Sequence, residues 1–141
     1  MAKILEHRYA PWGAAKELFR DRSGEILLHG PAGTGKSRAC LEKMFAACVK
    51  YPGANMLMVR QTHTSLTSTG RQTWRKFVIP EAEQVGAVRY YGGSQSAPPQ
   101  YIFDNGSTVL MGGLDQPTKI MSSEYDMIFV QEATEASITS W

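Results

Sequence analysis

No stretch of this 141-residue chain is apolar over the about 20 residues that a membrane-crossing helix needs, and the run from Met1 to Arg8 holds no signal-peptide core. Cysteine is scarce. Cys40 and Cys48 lie eight apart in a helical pattern, with no Cys-x-x-Cys pair and no histidine ligands nearby. That spacing excludes a disulfide framework and a zinc site, and the two read as reduced core thiols of a cytosolic protein. A dominant charge is also absent: 15 Lys+Arg against 13 Asp+Glu leave +2, too near balance to mark a nucleic-acid protein by charge alone. The three histidines, His7, His29 and His63, are isolated in sequence, and none is set beside a nucleophile. There is no internal repeat and no low-complexity segment. With 43% apolar residues, the length and composition suit one globular domain.

What is present is more specific. Gly30-Pro31-Ala32-Gly33-Thr34-Gly35-Lys36-Ser37 fits the pattern G-x-x-x-x-G-K-[ST], between the apolar run Ile26-Leu27-Leu28 and an amphipathic helical stretch. Glycines at these positions let successive N–H groups point inward at phosphates, Lys36 can reach the β and γ oxygens, and the Ser37 hydroxyl can ligate Mg²⁺. The motif therefore predicts a site for ATP and Mg²⁺ formed by Gly30 to Ser37 with Arg38 beside them.

Around it, a first strand is expected over Glu25–His29. A helix follows, with Leu41, Met44, Phe45, Cys48 and Val49 on its buried face and Tyr51-Pro52-Gly53 at its end. Met56–Arg60 reads as a buried parallel strand. The segment from Gln61 opens a helix that carries Leu66, Trp74, Phe77 and Val78 into the core and closes at Pro80, and residues 81–99 read as irregular. Tyr101–Asp104 and Ser107–Met111 flank Asn105-Gly106, a hairpin with a type I′ turn. Asp126–Val130 is a last apolar strand that ends in Gln131-Glu132. The alternation predicts an α/β fold, a phosphate-loop NTPase with a mostly parallel sheet flanked by helices and a β-hairpin insertion.

Phosphate-loop NTPases need an acidic residue at the carboxyl end of a neighbouring strand, and Glu132 is the candidate. Asp126 sits at the opposite end of the same strand, about 20 Å away at roughly 3.3 Å per residue. Gln131, where many such enzymes carry an aspartate, can hydrogen-bond a metal-bound water but adds no charge. Metal neutralisation then falls on the phosphates, Ser37 and Glu132. Glu135 lies one helical turn further, on the face of Glu132 if a helix starts there; it is a candidate transition-state or coupling residue, or else a first-turn acid that complements the helix dipole.

Three blocks carry a resemblance: His29 to Arg38; Met58-Val59-Arg60-Gln61-Thr62 with Ser65-Leu66-Thr67-Ser68; and Gly112-Gly113-Leu114-Asp115 running to Lys119 and on through Ser122-Ser123-Glu124-Tyr125-Asp126 to Gln131-Glu132-Ala133-Thr134-Glu135. Together they resemble the large subunit of tailed-bacteriophage terminases. The resemblance implies a RecA-like (ASCE) ATPase that works as a ring at the capsid portal in the host cytoplasm. Its partners would be double-stranded DNA, the portal protein and the small terminase subunit. It further implies that Glu132 polarises the attacking water, that Tyr9 and Trp12 pack near the adenine, and that Arg60 helps couple nucleotide state to DNA. Lys119 stands where the family's trans-acting arginine is expected, and a lysine lacks the bidentate guanidinium fork.

Family members continue through a coupling motif, a strand between the phosphate-loop and acidic strands, and a nuclease. By that resemblance, residues 1–141 are expected to be the N-terminal portion of the ATPase domain, with a gap in the sheet and no nuclease. Two other readings stand beside the motor: a nucleotide-binding remnant without turnover, and a small phosphate-loop kinase. Arg60, His63, Arg71, Arg75, Lys76 and Arg89 would suit DNA phosphates or an ordinary solvated surface.

Overall fold

A computed structural model describes residues 6–28, 35–62, 66, 70–95, 97–115 and 124–132. Two helices come first, α1 (Ala14–Arg20) and α2 (Lys36–Lys50), followed by strand β1 (Asn55–Arg60). Helix α3 (Gly70–Thr73) runs on as a π-helical turn (Trp74–Val78), and α4 (Pro80–Gln84) follows at once. The remaining strands are β2 (Val88–Tyr91), β3 (Gln100–Phe103), β4 (Thr108–Gly113) and β5 (Met127–Val130).

Among the described residues, five strands form one open sheet in the order β2-β3-β4-β1-β5. β1 pairs in parallel with β4 and with β5, whereas β2 with β3 and β3 with β4 are antiparallel. The sheet is therefore mixed, not mostly parallel as the alternation suggested. The reason is that the hairpin is no insertion. Its two strands are integral members of the sheet, and β2, in the stretch expected to be irregular, extends the antiparallel half.

The strand expected at Glu25–His29 is not formed over residues 25–28, and His29 lies outside the described residues. A strand needs a ladder to join. Both edges of β1 are taken by β4 and β5, and Leu27 stays 81% exposed.

One face of the sheet carries the main core. Met56, Met58, Val88, Tyr101, Phe103, Val109 and Met111 meet Leu41, Met44, Phe45 and Cys48 of α2, and Trp74, Val78 and Ile79 beyond α3. Phe45, Trp74, Tyr101 and Phe103 interlock edge-on or tilted at centroid distances of 5.9–6.2 Å, geometry that suits the ring quadrupoles. Leu57, Val59 and Leu110 form a smaller cluster on the opposite face.

Two residues assigned to the core by periodicity lie outside it: Val49 and Phe77 are exposed. Phe77 is displaced because the π-helical turn advances fewer degrees per residue, so Trp74 and Val78 share the inner face and Phe77 leaves it. Pro80 does not close a helix but opens α4 at its first position, where its missing N–H costs nothing.

The hairpin turn also differs from expectation. Phe103 N–H donates to Ser107 O and Gly106 N–H to Phe103 O, a three-residue loop in which only Gly106 is left-handed (φ 89°). Asn105 keeps a negative φ, so the turn is not type I′. Its amide instead donates to Cys48 O at 2.8 Å, and the buried Ser107 hydroxyl lies 2.9 Å from Cys48 O and 2.8 Å from Tyr51 O. The turn thus satisfies carbonyls that the end of α2 leaves open.

Candidate nucleotide site

The parallel strands β1, β4 and β5 end together at Arg60, Gly113 and Val130, and the start of α2 lies beside them. In open α/β sheets the carboxyl edge is where ligands bind. Of the phosphate-loop motif, Gly30 to Thr34 lie outside the described residues, and Gly35, Lys36, Ser37 and Arg38 are described. Gly35 enters α2 in the left-handed region (φ 76°), which a glycine adopts without strain. No side chain caps this helix start. The first-turn N–H groups of a 15-residue helix, with Lys36 and Ser37 among them, therefore stand at a positive dipole end suited to an anion.

The side chain from β5 that meets Ser37 is Gln131. Its backbone N–H continues the ladder by donating to Val59 O at 2.9 Å, and its amide Nε2 lies 3.5 Å from Ser37 Oγ, at the long end of hydrogen-bonding range. Gln131 is 7% exposed. Glu132, the residue assigned the catalytic carboxylate, follows directly; it is exposed and left-handed (φ 52°). A non-glycine residue in that region carries about 1 kcal/mol of strain, which tends to collect at functional turns. Among the described residues no three His, Cys, Asp or Glu side chains gather to hold a metal. The group here that fits Mg²⁺ is the Ser37 hydroxyl, while the Gln131 amide turns its nitrogen to that hydroxyl, so a cation at this place would need most of its charge balance from a bound anion.

Tyr9 reaches this end of α2. Its ring packs on Phe19, and the Arg38 guanidinium lies 5.2 Å from the ring centroids of both Tyr9 and Phe77. Burial, with Glu42 close by, pushes the Tyr9 phenol above its ordinary value against the pull of Arg38. Trp12 does not join it and is 72% exposed. Arg60 ends β1 two register steps beyond Met58 and beside the Gln131 turn. Lys119 and Glu135 lie outside the described residues, as do His29 and His63.

His7, isolated in sequence, is the hub of a part-buried cluster. Its Nε2 lies 2.7 Å from a Glu42 oxygen and its Nδ1 3.0 Å from Glu81, while Arg38 Nε reaches Glu42 at 3.4 Å. With both carboxylates ionised, both ring nitrogens must carry hydrogen for the two contacts to be hydrogen bonds. The imidazole also stands edge-on to Phe45 at 5.4 Å. Burial pushes Glu42 up, opposed by His7 and Arg38, whereas Glu81 is held down by its own backbone N–H and by His7. Lys43 Nζ adds a second tie, donating to Leu18 O at 2.7 Å and Asp21 O at 2.8 Å at the end of α1. The N-terminal segment is thus fastened along α2. Nothing local signals it, since Glu42 and Glu81 lie 35 and 74 residues from His7.

The basic residues do not make one surface. Arg71 stacks over Tyr90 at 4.4 Å on the face that carries Val88 and Tyr101. Arg89, one residue along the strand and opposite Ile102, projects from the other face. Comparisons with family models, curated proteins and solved structures find no match to this chain.

Proposed function

We propose that the chain binds ATP with Mg²⁺ through Gly30–Arg38 and is the ATPase part of a DNA-packaging motor of the terminase large-subunit kind. One observation carries this reading: the end of β5 meets the start of α2 through Gln131 and Ser37, so the two halves that a phosphate-loop site requires converge at one sheet edge. In this scheme Lys36 contacts the β and γ oxygens, Ser37 holds the cation, and Glu132 orients the attacking water. Bound Mg²⁺ supplies charge neutralisation at the transferring phosphoryl group. Double-stranded DNA, the portal and the small terminase subunit are the partners that the resemblance supplies.

The test is calorimetric titration with ATP and Mg²⁺. Lys36→Ala is expected to lower affinity by about 2–4 kcal/mol, the cost of removing a charge-assisted contact. Equal affinity in wild type and variant overturns the assignment of the site.

A second reading, nucleotide binding without turnover, is favoured by one feature: residues 25–28 stand outside the sheet that should hold the phosphate loop. ATP hydrolysis stimulated by duplex DNA decides for the motor, and binding with no hydrolysis decides for the second reading. Hydrolysis indifferent to DNA points to a kinase.

A further inference from the structure

Gly70 poses a local puzzle. It opens α3 without a left-handed φ, so the backbone there does not call for glycine, and glycine in a helix costs about 1 kcal/mol relative to alanine. The reason lies in what stands against it. A Cβ built on Gly70 would meet the Gln131 amide oxygen at 2.6 Å and its Cδ at 3.3 Å, with Leu66 Cδ1 at 3.1 Å. At 2.6 Å something must shift, and what stands there is the far end of the Gln131 side chain, so an added Cβ would move the amide. The same amide presents its nitrogen to Ser37 Oγ at 3.5 Å. One buried, uncharged side chain is therefore set between the first turn of α2 and the first turn of α3, with its nitrogen toward Ser37 and its oxygen toward Gly70.

We propose that Gln131 is the positioning residue of the nucleotide site, orienting the Ser37 hydroxyl, and that Gly70 is the clearance this amide requires, which ties the site to helix α3. The proposal rests on the nucleotide-binding reading above and adds to it a physical link from Ser37 to the segment 70–78. It also assigns a chemical character to the site. A neutral amide beside Ser37 adds no charge to favour a cation, so the site depends on the metal less steeply than one with a carboxylate at this position.

The two halves of the proposal have separate readouts. In full-length chain, ATP affinity is measured with Mg²⁺ and with EDTA for wild type and the near-isosteric Gln131→Glu. The added charge should favour the cation and repel the bare triphosphate, so the ratio of the two affinities should rise on the order of tenfold. A merely structural role would not move that ratio. Gly70→Ala and Gln131→Ala should each lower ATP·Mg²⁺ affinity about 3- to 10-fold, because both remove the amide from Ser37, and the double variant should be no weaker than the weaker single. An unchanged ratio in Gln131→Glu overturns the positioning role, and additive losses in the double variant overturn the link to Gly70. Should Gly70→Ala fail to fold, Gln131→Glu still decides the first half, and the double variant measured against Gln131→Ala decides the second, since with the amide gone the added Cβ should cost no further ATP affinity. Wild-type chain that binds no ATP overturns the nucleotide reading together with this proposal, whereas binding with an unchanged ratio overturns this proposal alone.

Discussion

The antiparallel half of the sheet and its parallel edge are built on different terms. Around β2, β3 and β4, aromatic rings from α2, the π-helical turn and the strands interlock, and Trp74 and Tyr101 are fully enclosed. At the other edge, among the described residues, β5 pairs only with β1, and Ile128 is 53% exposed, as is much of the apolar run 26–28. Stability is concentrated in the first region and the candidate chemistry in the second. This division follows from burial: hydrophobic stabilisation scales with apolar area removed from water, and a phosphate site must keep polar groups accessible.

The largest effect should come from the aromatic region. Trp74→Ala is expected to destabilise the fold by about 3–5 kcal/mol, read by urea unfolding, since it empties the centre of the ring cluster. A loss below about 1 kcal/mol would erase the contrast between the two regions.

His7→Ala should cost less, about 1–3 kcal/mol at pH 7, because it leaves Glu42 buried with only the longer Arg38 contact. The pH dependence has a definite sign. Burial raises the folded-state value of Glu42, so its contribution is present below the ordinary carboxylate range and is lost as pH rises through the folded value. Removing His7 takes away a group that opposes this rise, and the variant's deficit should therefore shrink as pH falls from 7 toward 4. Glu81 works the other way: its lowered value gives a contribution that is present above the ordinary range and fades on acidification, and it is exposed enough to be the weaker of the two. Both His7-dependent contributions fade on acidification, so a deficit that grows as pH falls would mean that neither carboxylate contact governs the cluster.

At the open edge, Leu27→Thr is expected to change stability by no more than about 0.5 kcal/mol, as exposed substitutions do. A larger loss would show that residues 25–28 pack more tightly than their exposure indicates.

The thiols give the finest test. Burial pushes Cys40 up to about 11 and Cys48 up to about 12. At pH 8 only about one Cys40 in a thousand is thiolate, so reaction with a thiol reagent should be slow in the native chain and rapid in urea. Fast native labelling would place α2 in the looser region.

Legibility from sequence follows the same division. Helix α2 could be read because Leu41, Met44, Phe45 and Cys48 repeat at helical spacing, and the hairpin because strand patterns flank Asn105-Gly106. The turn type could not, since the Asn105 side chain is engaged by a carbonyl of α2 more than 50 residues earlier. The run Ile26-Leu27-Leu28 looks like a strand, yet strand formation depends on a ladder that no local pattern encodes. In the candidate site, the motif from Gly30 and the end of β5 were legible as separate parts. The inward turn of Gln131 ahead of Glu132, the His7 cluster and the need for glycine at position 70 depend on contacts between distant segments.

The grip of Asn105 and Ser107 on the end of α2 has a mechanical consequence. A 15-residue helix is about 22 Å long, so a small change of angle at its C-terminal end is magnified at its start. A tilt of about 3° at the C-terminal end moves Ser37 by about 1 Å, the scale on which catalytic geometry is gained or lost. The hairpin turn, at the far end of α2, thereby helps to set where the candidate-site end of the helix stands.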